Sequence, residues 1–388
     1  MRRVPDDYAT IQDAVDAAEP GDLVLIAPGV YEESVAVETD DIVIRGLDRN
    51  EVILEGNHEL ENGIIVFSNG VAVENLTARN YTSNGVFFTG DYDSDFVLTG
   101  YRASYVTAHN NGLYGLYAFN ARYGQFDHSY GSGHPDSAFY VGQCQPCDAV
   151  LTDLLAENNT LGYSGTNSGG NLYIVNSEWR HNRIGVVPNT LDSEELAPQR
   201  GATFAGNYIH DNGNPNTPLR NEVWDLAYGV GLVIAGGRDD LVTRNLVTDN
   251  VNGGIAVSLF FDENFWLAEN NRVTDNVVSG SLYDLVLIVD DPNEGADGNC
   301  FAGNTYTVSL PADIETVAAC DDGTGPLGDQ LVIGSLPTPD VEPADYTTIA
   351  PPGPQPGMPD AETAPPSPAN VLPLVDDFDL DAITVPTP

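Results

Sequence analysis

A cluster of side chains that could transfer protons or bind a ligand lies within the stretch FDHSYGSGHPDSAFYVGQCQPCDAVLTD, residues 126–153. Asp127 and Asp153 are 26 positions apart, close to one turn of a repeat, so we expect them to stack on neighbouring turns. Paired carboxylates can act as acid and base on a glycoside or hold calcium, and His128 could act as a general base. The competing interpretation is that both aspartates only orient a backbone corner.

Further binding candidates surround this cluster. His134 and Asp136 lie within it, and Trp179 and Arg180 follow about one turn later. Trp224 and Trp266 lie in or beside long insertions, which favours exposure. Other aromatic residues of the middle turns either pack in the core or form a platform for sugar rings. These are Tyr114, Tyr117, Phe119, Tyr123, Tyr130, Phe139, Tyr140, Tyr163 and Tyr173.

The four cysteines predict two disulfides in an oxidising compartment. Cys144 and Cys147 form a CxxC, for which a small-loop disulfide is favoured over a metal site or free thiols. A disulfide between Cys300 and Cys320 would close the C-terminal end and contribute about 3 kcal/mol. No cofactor is assigned; calcium is the one metal that the aspartates suggest.

A sequence repeat must position these residues. Residues 244–250 (RNLVTDN) return as residues 270–276 (NNRVTDN), an offset of 26, which is typical of a solenoid. Each turn has an apolar strand and then a segment with Asn or Asp at matching places, which predicts stacked ladders of asparagine at tight corners. Nine turns can be laid out, beginning near Asn62, Asn84, Asn111, Pro135, Thr160, Arg183, Gly213, Val251 and Val277.

The turns differ in length because of four insertions. Residues 188–201, 261–266 and 290–299 follow the first strand of their turns, so they should leave the same corner, whereas residues 214–228 precede a first strand. Insertions in repeat proteins often carry the function. We therefore expect an N-terminal cap over residues 1–46, the solenoid with its C-terminal cap over 47–335, and a disordered Pro-rich acidic tail over 336–388. Within that tail, the less polar residues 371–384 could dock onto the rod.

The charge balance limits the partners. The 388 residues carry 14 cations, all arginine, against 58 carboxylates, a formal net charge of −44. Such a chain lacks the basic face that nucleic acid requires, and the sequence holds no apolar run long enough to span a membrane. Self-repulsion of this size is largely screened at about 1 M salt, where the Debye length is about 3 Å. The composition therefore predicts an organism that lives in high salt.

Residues 10–35, TIQDAVDAAEPGDLVLIAPGVYEESV, predict a helix capped by Thr10 and Asp13, followed by buried strands. This stretch resembles the N-terminal cap of right-handed parallel β-helix proteins of the pectin-lyase-like superfamily, especially the pectinesterase branch and the exported β-helix accessory proteins of nitrous-oxide reductase. The resemblance implies an all-β, right-handed parallel β-helix of about nine or more coils, covering roughly residues 4–310, with a short capping helix.

The catalytic motifs of the superfamily are not present in this sequence. Gly133-His134-Pro135 departs from the Gly-His-Gly of polygalacturonase-type enzymes, and His134-Pro135-Asp136 only partly resembles the Asp-Pro-His-Asp of alginate epimerases. The resemblance implies an exported or cell-surface protein that binds or processes polysaccharide, although the first residues contain no apolar signal region. The alternative is a non-catalytic surface rod for adhesion, envelope scaffolding or an accessory role to a metalloenzyme. The sequence does not decide between a polysaccharide-acting protein and a non-catalytic rod. It also does not indicate the oligomeric state.

Overall fold

Three long parallel sheets form the walls of a solenoid, which we name sheets A, B and C in the order in which the chain visits them. The computed structural model describes residues 1–91, 94–321, 326–369 and 378–388. Sheet A consists of Arg2–Val4, Leu23–Ile26, Val43–Gly46, Val71–Glu74, Leu98–Ser104, Ala121–Asp127, Ala149–Thr152, Gly169–Val175, Arg200–Ala205, Leu241–Thr243, Arg272–Thr274 and Cys300–Ala302.

Sheets B and C follow the same order along the rod. Sheet B consists of Gly29–Tyr31, Val52–Glu55, Thr77–Arg79, Thr107–His109, Tyr130–Ser132, Leu155–Glu157, Glu178–Arg180, Tyr208–His210, Leu246–Thr248 and Val277–Ser279. Sheet C consists of Val35–Val37, Asn62–Val66, Asn84–Thr89, Leu116–Phe119, Ser137–Gly142, Leu161–Thr166, Ile184–Asn189, Val230–Ala235, Gly253–Ser258, Tyr283–Ile288 and Ser309–Leu310. The prediction of a parallel β-helix is confirmed, and so are the turns predicted from the repeat.

A few other elements complete the architecture. Phe260–Phe261 and Phe265–Trp266 form a small antiparallel hairpin. Short helices span Ile11–Asp16 and Ile314–Val317, and 3-10 turns span Glu222–Ala227, Tyr346–Thr348 and Leu380–Ala382.

The N-terminal helix closes the first coil, as the sequence predicts. Thr10 is its N-cap, and the hydroxyl of Thr10 accepts a hydrogen bond of 3.0 Å from the backbone N–H of Asp13. Ile11, Ala14 and Val15 are buried against the first strands of the solenoid. The helix thereby covers core side chains that would otherwise face water at the open end.

Period-two alternation along the strands separates the core from the outer faces. In Ile184–Asn189, Val186 packs in the interior of the solenoid, whereas Val187 belongs to a second apolar cluster on the outside of sheet C. The large side chains Phe126, Phe139, Tyr163, Trp179 and Phe204 lie fully inside. Of the middle aromatic residues named from the sequence, Phe139 and Tyr163 therefore fill the core, whereas Tyr114, Tyr117 and Tyr140 cluster on the outer face of sheet C.

Stacked asparagines hold the corners together. Between sheets A and B, Asn207, Asn245, Asn276 and Asn304 form one ladder, in which each backbone N–H and side-chain amide donates to Oδ1 of the next residue. Between sheets B and C, Asn159, Asn182, Asn212 and Asn250 form another ladder. The ladders predicted from the sequence are thus present.

The offset of 26 between residues 244–250 and 270–276 predicts that Asn271 stacks on Asn245, and this register was wrong. Asn271 does not stack on Asn245; it donates to Asn299 at a third corner, between sheets C and A. The hairpin inserted after Ser258 lengthens this coil, so the true partner of Asn245 lies 31 residues on, at Asn276. The seven-residue repeat at an offset of 26 therefore paired Asn245 with a residue of the neighbouring corner, Asn271, instead of Asn276.

The tail lies against the coils wherever the structure describes it. Composition alone predicted disorder here because so few apolar residues are present. Instead, carbonyl groups of Ala361 and Ala364 accept hydrogen bonds from Arg45, and the carbonyl group of Ser367 accepts one from Arg102. Of the predicted docking segment 371–384, residues 371–377 lie outside the described residues, and Phe378 and Ile383 pack on sheet A.

Both predicted disulfides are present, Cys144–Cys147 and Cys300–Cys320. Across the described residues, no helix is long and apolar enough to cross a membrane.

Candidate functional site

Aromatic rings gather on the outer face of sheet C, where three successive strands carry outward side chains in register. Phe87 pairs with Tyr117, and Tyr117 pairs with Tyr140. The rings of Phe87 and Tyr117 stack at 4.2 Å with an interplanar angle of 3°, and Tyr140 meets Tyr117 edge-on at 4.8 Å. Tyr114 completes the group at 4.5 Å from Tyr117. We call these four residues the aromatic platform.

A glycine makes room for one ring of the platform. Gly142 is two residues beyond Tyr140 on the same face, and a Cβ at Gly142 would lie 2.3 Å from a ring carbon of Tyr140. The ring can therefore lie along its own strand only because position 142 has no side chain. This is a close approach that the sequence alone does not reveal.

A carboxyl group from an insertion reaches the platform. Glu194 lies in the loop 188–201, and its Oε1 accepts a hydrogen bond from the phenol of Tyr140, while its Oε2 is buried without a hydrogen-bond partner. Burial raises the pKa of Glu194 to about 7, although the bond from Tyr140 opposes the rise. A carboxyl with this pKa exchanges its proton near neutral pH, so it can donate a proton to a bound ligand or accept one.

Side-chain amides hold the Glu194 loop in place. Asn167 donates to the carbonyl groups of Leu191 and Glu194, at 2.7 and 3.2 Å. Gln145 donates to the carbonyl groups of Leu196 and Pro198, at 3.1 and 2.8 Å. Since four backbone acceptors are fixed by two buried or half-buried amides, the carboxyl of Glu194 is held in position over the platform.

A second carboxyl, that of Asp136, lies beside Tyr114 of the platform. Asp136 immediately precedes the strand that carries Tyr140, is 6% exposed, and accepts a 3.0 Å hydrogen bond from the hydroxyl of Ser137. Burial raises its pKa, and the guanidinium of Arg220, 3.6 Å away, acts in the opposite direction. Arg220 comes from the insertion 214–228, so Arg220 and Glu194 both reach this face of sheet C from inserted residues.

The two carboxyls share one electrostatic environment. The pKa of Tyr114 is raised well above its ordinary value, first by burial and then by Asp136, Tyr117 and Glu194. Two carboxyls of raised pKa, one arginine and several phenols thus surround one patch of aromatic surface. Such a grouping is typical of a functional site.

The predicted pair Asp127 and His128 lies elsewhere, at the corner between sheets A and B. Nδ1 of His128 is 2.9 Å from Oδ1 of Asp127, the ring of Tyr105 stacks on His128 at 4.5 Å, and the side chain of His128 is 47% exposed. Together with Arg102 and the tail residue Met358, they border a groove of about 350 Å³.

Asp153 is not the stacking partner of Asp127. The register pairs Asp127 with Thr152, and exposed Asp153 follows at the left-handed corner position that His128 occupies one coil earlier. The predicted Asp127–Asp153 pair is therefore out of register by one residue. Asp127 instead accepts hydrogen bonds from Ser104 and Gln125.

Two predicted binding residues are fully buried and offer no surface to a ligand. His134 fills a corner, where its ring nitrogens are 3.3 and 3.2 Å from the carbonyl oxygens of Asn111 and Ala108, and burial lowers its pKa to about 4. Trp179 lies in the core, with its indole N–H donated to Asn207. The sequence shows neither which face of a three-residue strand points inward, as for Trp179, nor whether the ring of a corner residue is buried, as for His134.

The remaining predicted residues are at least partly exposed. Arg180 lies on sheet B and pairs with Glu157 at 2.9 Å and Glu178 at 2.6 Å, away from the platform. Trp224 lines an apolar pocket farther along sheet C. Trp266 donates its indole N–H to Asp192 at 3.3 Å. Of the predicted catalytic and binding residues, Asp136 alone lies beside the platform, which itself contains the predicted aromatic residues Tyr114, Tyr117 and Tyr140.

Glu194 and Arg220 were missed by the sequence analysis. Their only signal was their location in insertions, where a carboxyl or guanidinium is also what solvent exposure alone would produce. No group of three or more His, Cys, Asp or Glu residues that could hold a metal ion occurs among the described residues.

Comparison with solved structures identifies the architecture. The chain is similar to the A-modules of two mannuronan C-5 epimerases from Azotobacter vinelandii, AlgE4 (TM-score 0.52, 17% identity, 79% of this chain and 92% of that one) and AlgE6 (TM-score 0.51, 16% identity, 77% and 94%). The fold is a right-handed parallel β-helix.

A third similar β-helix is the GH136 lacto-N-biosidase from Eubacterium ramulus, with a TM-score of 0.50, 15% identity and coverage of 78% of this chain and 61% of that one. The sequence matches no protein-family model and no curated protein. At these identities the likeness shows the β-helix alone, so the function has to be argued from the platform and its carboxyls.

Proposed function

We propose that this protein binds and processes a polysaccharide on the outer face of sheet C, with Glu194 as proton donor. The observation that carries this proposal is the buried, phenol-bonded carboxyl of Glu194 beside the aromatic platform. Aromatic faces pack against the apolar faces of sugar rings, and a carboxyl of raised pKa can protonate a leaving oxygen. Asp136, balanced by Arg220, would act as the second carboxyl.

The three similar β-helix proteins support this class of substrate, since each is named for an activity on glycans. The net charge of −44 limits the kind of glycan that can bind in dilute buffer. A polyanionic glycan would be repelled in dilute buffer, so we propose neutral glycans first, and uronate polymers only where salt screens the repulsion. Two disulfides and the acidic surface are consistent with an extracellular or cell-surface location in a high-salt habitat.

The test is a glycan screen in about 1 M NaCl with three proteins. Wild type and Glu195→Gln, whose residue is exposed and next to Glu194, should form new chain ends or altered sugars from at least one polymer. Glu194→Gln should lose about 10²-fold or more of that rate while still binding the polymer. Equal rates for Glu194→Gln and wild type would contradict the assignment.

The same screen distinguishes two possible locations of the catalytic centre, the platform on sheet C and the groove at His128. Asp127→Asn and Asp153→Asn remove the carboxylates proposed from the sequence, which lie outside the platform on sheet C. Loss of turnover in these variants, with turnover retained in Glu194→Gln, would move the catalytic centre to the His128 groove.

The alternative of a non-catalytic surface rod has one specific observation in its favour. Tail residues Met358, Pro365 and Ser367 border the groove at His128, so this part of sheet A is already partly covered by the chain itself. Binding of glycans without any turnover in wild type would favour this alternative.

A further inference from the structure

The corner that follows strand Val230–Ala235 holds two buried polar side chains that face each other. Gln199, at the end of the loop 188–201, and Asp240 are both almost completely shielded from solvent. Nε2 of Gln199 donates to Oδ1 of Asp240 at 2.9 Å, and the backbone N–H of Ala202 donates to the same oxygen at 2.7 Å. The other oxygen of each side chain, Oε1 of Gln199 and Oδ2 of Asp240, has no hydrogen-bond partner among the described residues.

Both unpaired oxygens lie against the same glycine. A Cβ at Gly237 would lie 2.0 Å from Oε1 of Gln199 and 2.8 Å from Oδ2 of Asp240. The two oxygens therefore border one small space. Two buried acceptors side by side without a donor are unfavourable, so either a proton or a cation has to lie between them.

Asp240 occupies the place of an asparagine in the third ladder, at the corner between sheets C and A. Its backbone N–H donates to Oδ1 of Asn271, just as the backbone N–H of Asn271 donates to Oδ1 of Asn299. In Asn271 the side-chain nitrogen Nδ2 supplies two further hydrogen bonds, to Asn299 and to the carbonyl group of Gly237. A carboxylate has no such donor, whereas a neutral carboxyl has one O–H to donate. The ladder position therefore favours the protonated form of Asp240.

The surroundings of Asp240 also favour the neutral carboxyl. Burial raises its pKa to about 7, the hydrogen bonds that it accepts oppose the rise, and neighbouring Asp239 adds to it. The other ionisable groups on the elements packed against it are Tyr163, Arg200, Arg238 and Glu269. Arg238 pairs with Glu269 at 2.8 Å instead of with Asp240.

Gln199 also closes the loop that carries Glu194. Its backbone N–H donates to Oγ1 of Thr190 at 3.0 Å, and the hydroxyl of Thr190 donates to the carbonyl group of Gly236 at 2.7 Å. The two ends of the loop are therefore joined to each other and to the corner that holds Asp240. A negative charge on Asp240 would act directly on this base of the loop.

We infer that Asp240 is a neutral carboxylic acid in the folded protein, and that the proton on its Oδ2, shared with Oε1 of Gln199, makes it a positioning residue for the loop that carries Glu194. Ionisation of Asp240 places a negative charge beside the amide oxygen of Gln199 and loosens the base of the loop. The role of Glu194 as proton donor rests on the proposed function, whereas the state of Asp240 and its hold on the loop do not.

The test follows hydrogen–deuterium exchange of the loop amides and denaturant titrations between about pH 5 and about pH 8. The folded state holds this proton more tightly than the unfolded state, so the stabilisation is complete at acid pH and is lost as pH rises through 7. In wild type, loop exchange corrected for its intrinsic rate should become at least about tenfold faster over this range, and the denaturation midpoint should fall relative to Asp240→Asn.

Three variants complete the comparison. Asp240→Asn keeps a donor and does not titrate, so its loop should stay protected at both ends of the pH range. Asp240→Ala lacks both oxygens and should exchange fast at every pH. Asp239→Asn changes the exposed neighbouring carboxylate, and as the matched control it should respond to pH as wild type does.

The results separate this role of Asp240 from the proposed function. If wild type and Asp240→Asn respond to pH alike, Asp240 is not a neutral acid, even where glycans are processed. If the midpoints differ but loop exchange does not, Asp240 does not position the loop. A cation between the two oxygens would require the ionised carboxyl, so wild type would gain stability relative to Asp240→Asn as pH rises, which would also overturn the inference. If loop exchange follows Asp240, the role stands even where Glu194→Gln leaves turnover unchanged.

Discussion

The phenol of Tyr140 donates a hydrogen bond to Glu194, a residue 54 positions later in the chain. Tyr140 belongs to a regular strand of sheet C, and Glu194 belongs to the inserted loop 188–201. The repeated strands therefore carry the aromatic platform, and the inserted loop carries the carboxyl that we propose as proton donor. The predictions below test this relationship and the structure that supports it.

The first prediction concerns pH. Glu194 has a pKa of about 7 in the folded protein, against about 4.3 for an unperturbed glutamate. The folded state thus holds this proton more tightly, so its stabilising contribution is complete below about pH 4 and is lost as pH rises through 7. From pH 5 to pH 8, wild type should lose on the order of 2 kcal/mol of unfolding free energy relative to Glu194→Gln. Denaturant titrations at both pH values measure this difference; the same pH response in both proteins would contradict the assigned pKa.

The second prediction concerns the asparagine ladder. Asn245→Ala removes the acceptor for the backbone N–H of Asn207 and the donor to Asn276, both buried. A buried polar group without its partner costs about 1–3 kcal/mol, so the midpoint of chemical denaturation should fall accordingly. Asn216→Ala, at an exposed residue of the insertion 214–228, is the matched control and should change stability by less than about 0.5 kcal/mol. Equal midpoints for the two variants would show that the ladder does not stabilise the rod.

The third prediction concerns the two disulfides, whose separations are 20 and 3 residues. A larger closed loop restricts the unfolded chain more, so replacing Cys300 and Cys320 together by serine should cost about 3 kcal/mol. Replacing Cys144 and Cys147 together should cost less by this effect. Calorimetric melting of the two double variants measures how much stability each disulfide contributes. A larger loss of stability on removal of Cys144–Cys147 would contradict the prediction.

The fourth prediction concerns salt. A net charge of −44 gives self-repulsion that unfolding relieves. Raising NaCl from about 0.05 M to about 1 M should therefore raise the melting temperature steadily, with most of the gain complete once the Debye length falls to about 3 Å. Thermal melts across this series check it. A melting temperature independent of salt would argue against the proposed high-salt habitat.

The fifth prediction concerns the tail. Arg45 donates to the carbonyl groups of Ala361, Ala364 and Pro365, so Arg45→Ala should release this part of the tail to proteases. Limited proteolysis followed by mass spectrometry locates the new cuts. Arg79→Ala serves as control because Arg79 pairs with Glu55 instead. Since Arg45 also pairs with buried Glu74, the unfolding free energy of both variants is measured alongside, and unchanged cutting in folded Arg45→Ala would contradict the role of Arg45.

Local patterns were enough to predict the fold. Thr10 and Asp13 mark the start of the capping helix, and alternating apolar residues with recurring asparagines mark the strands and corners. Each of these signals depends on neighbours in sequence, so it can be read without knowing the tertiary structure. The two disulfides followed from an even number of cysteines near corners and the terminal cap.

The sequence did not predict which residues of neighbouring coils pair with one another. A corner holds a left-handed residue followed directly by a ladder residue, as in His181 and Asn182, and asparagine suits both positions. Columns of asparagine in the sequence therefore mix two structural roles. This ambiguity of one position displaced Asp153 from Asp127, and with it the catalytic pair that the spacing suggested.

The candidate site depended on contacts that no spacing encodes. Glu194 meets Tyr140 because Asn167 and Gln145 hold an inserted loop against the rod, and Gly142 leaves room for the ring. Trp179 was misjudged for a related reason: in a strand of three residues, a single step decides whether a side chain faces the interior or the solvent.

The path of the tail has a mechanical consequence. Ile383 packs among Val150, Val175 and Ala205 and accepts a hydrogen bond from Arg244, all on the side formed by sheet A. A force applied through residues 378–388 would therefore pull on the flank of the rod and not on its tip. Residues 378–383 thus lie on a different wall of the solenoid from sheet C, which carries the aromatic platform.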